Sequence, residues 1–271
     1  MDFLNKFRLD GKVALVTGAS RGIGRATAMG FASAGAEVIV CSRKLPDLEK
    51  VADEILKMGG KARPIAAHVG RMEDINNLIK TIIKEFGKLD ILVNNAGTNP
   101  AMASILETDE RLWDTIVNLN LKGLYFLSQG AARIMKDHGG GSIINVASAD
   151  AYRPEIYVGV YSITKAAVIM ATKSMAAELA RYKIRVNAIC PGPVSTRLLD
   201  SHWFHLKEDE AKKQKAELAK LIPIGHIAEP EELVGAMLYL ASDASTFTTG
   251  AEILVDGGML LTGPQEAVVE S

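Results

Sequence analysis

Several things are scarce in this chain of 271 residues, and each scarcity removes a class of function. Cysteine occurs only as Cys41 and Cys190, with no CxxC or Cys/His spacing. That leaves no ligand set for a structural zinc, and a disulfide has no place in a reducing compartment. Neither sign of charge is in excess: 31 Lys and Arg stand against 32 Asp and Glu, for a net −1. Nothing therefore pulls the chain toward nucleic acid or an anionic membrane, and no basic stripe carries interleaved aromatics. No apolar run approaches the roughly 18 residues of a spanning helix. The first twelve residues, MDFLNKFRLDGK, are charged and lack the apolar core of a signal peptide. The expectation is a cytoplasmic protein. Hydrophobic residues at 48% and charged residues at 23% are ordinary for a globular chain. The length suits one large α/β domain or two small ones, with an ample core.

What is present is an alternation. Short β-branched runs, KVALVTG (12–18), AEVIVCS (36–42), ARPIAAH (62–68) and LDILVNNAG (89–97), are separated by helical patterns. The second half repeats this with long helices expected at roughly 109–136 and 157–182, strands GSIINVAS (141–148) and IRVNAICPG (184–192), a helix at 230–241 and a last strand AEILVDGG (251–258). Strands joined by helices of 10–20 residues predict βαβ units and a parallel sheet. No linker splits the series, so residues 1–271 read as a single domain. The exception is 195–228, a long charged insertion between a strand and a helix, the kind of segment that often serves as a lid.

Two stretches carry chemistry. VTGASRGIGRA places Gly18, Gly22 and Gly24 at the first strand–helix junction. Glycine there lets backbone approach a diphosphate, and the following helix offers free N–H groups and a positive end. An NAD site usually carries an acid at the end of the second strand, for the ribose 2′-hydroxyl. Here Ser42 and Arg43 stand instead. Arg43, with Arg21, suits a 2′-phosphate, so NADP(H) is favoured and NAD(H) is the alternative. The second stretch, VYSITKAAV (160–168), places Tyr161 and Lys165 one helical turn apart on one face. That spacing fits an ordinary surface pair, or an ammonium set to make a phenol acidic.

With these stretches go NNAG (94–97), NLNLKG (118–123), Ser148 in INVAS, PGPVST (191–196) and DGG (256–258), all in order. Together they resemble the short-chain dehydrogenase/reductase family over about 10–260. The resemblance implies a Rossmann-type doubly wound parallel sheet of about seven strands, order 3-2-1-4-5-6-7, in a three-layer α/β/α arrangement. In that order Cys41 and Cys190 lie four strands apart, roughly 19 Å at strand spacing. A disulfide needs Cα atoms within about 7 Å, so both thiols are expected free.

The implied activity is hydride transfer between NADP(H) and a carbonyl or secondary alcohol. Reduction builds charge on an oxygen that must take a proton. Tyr161 is the implied acid/base. Lys165 would lower its pKa by about 1–3 from a value near 10, and would hold the cofactor ribose. Ser148 would donate to the substrate oxygen, and Asn120 would perturb its helix and position a water leading to Lys165. Carried over for the cofactor are Gly18, Ser20, Arg21, Ile23 and Gly24, then Asn95, Ala96 and Gly97, then Pro191, Gly192, Val194 and Thr196. One departure stands out. The family usually has Asp-Val after the third strand, its carboxylate meeting the adenine amino group, where this chain has His68-Val69. A neutral His68 accepting a hydrogen bond, or the Val69 backbone alone, are the two substitutes.

The substrate pocket is expected from Thr98–Met102, Asp150–Pro154, Tyr157 and the lid residues Leu198, Leu199, Trp203, Phe204 and Leu206. The apolar lid face fits a hydrophobic carbonyl compound or packing onto a neighbour, while Asp150 and Arg153 fit a polar substrate. A homotetramer is implied, with 109–136, 157–182 and 230–256 at its interfaces. A catalytically idle dinucleotide-binding scaffold is the competing class, and the intact Asn120, Ser148, Tyr161 and Lys165 count against it.

Overall fold

Residues 3–203 and 206–261 are described in the computed structural model, so Phe204 of the expected lid face lies outside the described residues. After a 3-10 turn at Leu4–Phe7 the chain alternates strands and helices. These are β1 (Val13–Thr17), α1 (Gly22–Ser33), β2 (Glu37–Ser42), α2 (Leu45–Lys57), β3 (Lys61–Ala66), α3 (Met72–Phe86) and β4 (Ile91–Asn94). Then come α4 (Glu110–Val117), α5 (Leu124–Asp137), β5 (Gly141–Val146), α6 (Gly159–Leu179) and β6 (Ile184–Pro191). The insertion carries α7 (Arg197–Asp200) and α8 (Glu208–Lys220), and α9 (Val234–Ala241) and β7 (Glu252–Val255) close the order.

The strands form one sheet of order β3-β2-β1-β4-β5-β6-β7, with every pair parallel. Alternate residues of each strand face opposite layers. In β1, Ala14 and Val16 join a core with Phe31, Leu48, Met237 and Leu240, which puts α1, α2 and α9 on one face. Val13 and Leu15 join Ile75, Leu78, Leu127 and Met175, which puts α3, α5 and α6 on the other. With both faces covered, the central strands read as continuous apolar runs. Helix α2 shows how the outer layer is coded. Leu48, Val51, Ala52 and Ile55 are its buried residues, and the spacing puts them on one stripe. Cys41 and Cys190 are buried and free, on strands four steps apart.

The helix expected at 109–136 is interrupted. Asp109 caps α4 by accepting from Leu112 N (2.7 Å), and Asn118–Gly123 then forms a π turn before α5. The cause is a close approach: a Cβ on Gly123 would lie 1.9 Å from the Val69 carbonyl oxygen. The extra residue of the π turn lets the helix pass that carbonyl and turns Asn120 inward, to 1% exposure. The helix expected to begin at 157 begins at Gly159, because Tyr157 adopts a left-handed backbone (φ 67°) and stands outside it.

The insertion is pinned at its base. Val194 and Ala228 form an isolated parallel bridge, and Ser195 N donates to Ala228 O at 2.8 Å. Lys215 Nζ meets Asp200 Oδ1 at 2.5 Å and lies 5.4 Å from the Trp203 ring centroid, joining α7 to α8. Among the described residues no helix is long and apolar enough to cross a membrane.

Candidate active site

A cleft of about 1700 Å³ opens over the carboxyl ends of the strands, the place where open α/β sheets receive ligands. Its floor is the turn after β1. Gly18 and Gly22 have φ of 64° and 53°, which only glycine adopts freely. Gly18, Ser20, Arg21, Gly22 and Ile23 line the cleft, and Gly24 does not. A Cβ on Gly24 would lie 2.4 Å from Gly18 O, so Gly24 serves the close packing of helix on strand. The neighbouring strand end is tied to this turn. Thr17 Oγ1 accepts from Asn95 N and Ala96 N (both 3.0 Å), and Asn95 Nδ2 donates to Thr17 O at 2.8 Å.

One end of the cleft lies over β2 and β3. Arg43, Lys44, His68, Val69 and Arg71 line it, and Arg21 stands at the turn. Arg21 and Arg43 make no ion pair among the described residues. His68 Nδ1 accepts from Gly70 N at 3.1 Å, which removes the expected acceptor role from that nitrogen. Burial, Arg71 and Arg43 together hold the ring below the ordinary histidine pKa.

Ser148, Tyr161 and Lys165 meet at the other end, with Asn120 beside them. Ser148 ends the stretch after β5, and its Oγ accepts from Asp150 N at 3.1 Å. The Ser148 hydroxyl also lies near enough to the Tyr161 phenol and the Asp150 carboxyl to lower the pKa of both. Lys165 is 5% exposed; its Nζ donates to Val146 O at 2.7 Å and sits 5.4 Å from the Tyr161 ring centroid. Asn120 Oδ1 accepts from Thr98 N (2.8 Å), while its Nδ2 donates to Thr98 O (3.0 Å) and Thr164 Oγ1 (3.3 Å). A Cβ built on Gly97 would lie 3.6 Å from Asn120 Oδ1 and 3.7 Å from Lys165 Nζ, so the two groups flank one gap.

The electrostatics differ from the expectation. Burial is the largest influence on the Tyr161 phenol and pushes it above its ordinary value; the Asp150 charge adds to this, Ser148 opposes it and Glu155 adds a little more. Lys165 is not among these influences; its ammonium is held by the Val146 carbonyl oxygen. Burial lowers Lys165 itself to about 8, with Cys190 and Asp150 opposing. Asp150 is pushed up to about 6, by burial first and then by Glu155, with Ser148, Lys165 and Arg153 opposing.

Other expected residues separate cleanly. Thr98–Met102, Asn95–Gly97, Pro191, Gly192, Val194, Thr196, Leu198, Leu199 and Trp203 all line the cleft. Tyr157 does not: its left-handed backbone leaves it 54% exposed and off the cleft wall. Of Asp150–Pro154 only Asp150 lines the cleft, and Leu206 is absent from it. Glu155, Arg71, Glu217, Leu218 and Met259 line it without having been singled out. No motif spacing marks them, and only the fold brings them in. Among the described residues no cluster of His, Cys, Asp and Glu is able to hold a metal.

The cleft fits a nicotinamide dinucleotide on its own geometry. The glycine cradle leaves no room for a Cβ at Gly18, where one would lie 2.7 Å from Asn95 Nδ2. The cleft runs unbroken from the arginines to Tyr161. The comparisons agree. Residues 18–260 match a family profile described as Enoyl-(Acyl carrier protein) reductase. The bovine (Bos taurus) dehydrogenase/reductase SDR family member 4 is 36% identical over 252 residues, 93% of this chain and 88% of that protein. The 2-dehydro-3-deoxy-D-gluconate 5-dehydrogenase of Escherichia coli K12 is 37% identical, covering 95% and 98%. A gluconate 5-dehydrogenase from Burkholderia cenocepacia, crystallised with NADP and tartrate, superimposes with a TM-score of 0.89 at 34% identity, covering 96% and 99%. The chain belongs to the short-chain dehydrogenase/reductase family, and is an NAD(P)-dependent oxidoreductase that transfers a hydride at a CH–OH or C=O group.

Proposed function

We propose that this protein is an NADP(H)-preferring carbonyl reductase in which Tyr161 exchanges the proton. The observation that carries the reading is the meeting of Ser148, Tyr161 and Lys165 at the end of the cleft away from Arg43. When bound, the nicotinamide supplies or takes the hydride. Tyr161 gives its phenolic proton to the carbonyl oxygen on reduction and takes it back on oxidation. Its raised pKa keeps it protonated at neutral pH, which suits the reductive direction. Ser148 stabilises the charge that develops on the same oxygen. Lys165, lowered to about 8, remains mostly cationic at pH 7 and stands ready for the ribose hydroxyls. Asn120 is a positioning residue that clamps Thr98 at the mouth.

Arg43 and Arg21 support NADP(H) over NAD(H): two guanidinium groups without an ion pair among the described residues, with no acid at the end of β2, suit a 2′-phosphate. For the substrate, Pro100, Met102, Leu198, Leu199, Trp203 and Leu218 form an apolar wall, while Asp150, Glu155 and Glu217 are acidic. That lining supports a neutral, largely apolar carbonyl compound over a sugar acid of the kind named for several relatives. A single dehydrogenase domain with a lid over about 195–228, working as a cytoplasmic homotetramer, completes the reading. Exposed Ile163 and Met170 on α6, and Phe247 before β7, suit burial against further copies. The test is Tyr161→Phe: turnover of a ketone panel with NADPH should fall by about 10²–10⁴, with NADPH affinity by fluorescence little changed. Unaltered turnover on every active substrate refutes the assignment.

A further inference from the structure

The end of the cleft over β2 and β3 is not absorbed by the chemistry at Tyr161. The diphosphate of a dinucleotide belongs over the Gly18–Gly24 turn, where the α1 N-terminus offers free N–H groups. The reacting carbonyl belongs beside Tyr161 and Ser148. A cofactor reaching from that point across the turn places its second base beyond Arg43, against His68, Val69 and Arg71.

His68 is held there in one hydrogen-bonding state. Its backbone N–H donates to Asp74 Oδ2 at 2.8 Å, and its Nδ1 receives the Gly70 N–H at 3.1 Å. A backbone N–H only donates, so Nδ1 carries no proton. Burial and the charges of Arg71 and Arg43 favour the neutral ring, against weaker pulls from its own backbone carbonyl and from Asp74. The one ring proton of a neutral imidazole then resides on Nε2. Nε2 has no hydrogen-bond partner among the described residues, and the side chain lines the cleft.

We propose that His68 reads the purine of the cofactor as a hydrogen-bond donor, through Nε2–H, and so makes no demand for the 6-amino group of adenine. An acidic side chain at this place would accept from that amino group and reject a 6-oxo purine. The imidazole donates to a ring nitrogen or to a 6-oxo oxygen alike. Carboxylates reach this part of the cleft from other elements, with Asp47 on α2 and Glu110 and Asp114 on α4. Asp114, exposed and lining the same cleft, is the rival reader. The inference rests on the nicotinamide dinucleotide reading and adds a base preference to it.

The experiment measures dissociation constants for NADPH and its hypoxanthine analogue by calorimetry, on the wild type, His68→Asp and Asp114→Asn. The expected wild-type constants agree within about threefold. His68→Asp should bring a preference for NADPH of about tenfold or more, the scale of a charged acceptor left facing a carbonyl. A wild type that already prefers NADPH by about tenfold overturns the proposal, and relief of that preference in Asp114→Asn assigns the reading to Asp114. Long-range ¹H–¹⁵N correlation on histidine-labelled wild-type protein, with His68→Gln for assignment, tests the ring without cofactor. A proton on Nε2 is expected, and a proton on Nδ1 overturns the proposal even if His68→Asp fails to fold. No measurable NADPH binding at all refutes the NADP(H) reading itself, an outcome distinct from equal binding of the two analogues.

Discussion

Asp150→Asn probes the electrostatics of the site most directly. The carboxyl is pushed up to about 6, by burial and by Glu155, from an ordinary value near 3.9. The folded state thus binds this proton more tightly than the unfolded chain does. Stability is gained as pH falls from about 6 toward 4 and lost as pH rises through the same window. Above pH 7 the ionised carboxylate costs up to ~3 kcal/mol, at about 1.4 kcal/mol per pKa unit; partial exposure reduces this to about 1–2 kcal/mol. Asparagine carries no such charge and keeps an oxygen and a donor for Ser148. The variant should therefore be more stable than the parent at pH 8, with a Tm higher by about 3–8 °C. At pH 5 roughly half of that advantage should remain. Urea unfolding at both pH values measures it. A variant less stable at pH 8, or an advantage that does not change with pH, refutes the reasoning. The same substitution removes a negative charge that raises Tyr161. The rising limb of the pH–rate profile for alcohol oxidation should move to lower pH by about 0.5–1.

Three further outcomes are expected. Arg43→Asp should cut the ratio of kcat/KM for NADPH over NADH by about 10²-fold, in line with losing a charge-assisted phosphate contact and adding repulsion; an unchanged ratio in steady-state kinetics removes Arg43 from the phosphate site. Gly123→Ala sets a Cβ 1.9 Å from Val69 O and should cost about 1–3 kcal/mol or more by denaturant titration, whereas wild-type stability would mean that the π turn is adjustable. Deleting much of 198–220 should raise KM for the ketone more than it weakens NADP(H) binding, and equal loss of both contradicts a lid.

The parallel sheet was legible because each signal is local. β-branched runs, glycine turns and amphipathic stripes such as Leu48, Val51, Ala52 and Ile55 act within one element. The ordered motifs carried the strand order and the candidate residues Ser148, Tyr161 and Lys165. The π turn was not legible in helical periodicity, because its cause is the carbonyl of Val69, about fifty positions away in the chain. Tyr157 was misplaced for a related reason: a left-handed backbone just before a helix removes a residue from the face its spacing predicts.

The amino-acid sequence by itself determined the architecture and the family and pointed to the candidate reacting groups, since these depend on residue types at fixed spacings. Tertiary structure alone decided their ionisation and their hydrogen-bond roles. Burial raises Tyr161 rather than lowering it, Asp150 meets Ser148 through its backbone N–H, and the Nδ1 of His68 is taken by the Gly70 N–H. A pKa and a tautomer are set by burial and by partners brought together in folding, and neither is a property of the residue alone.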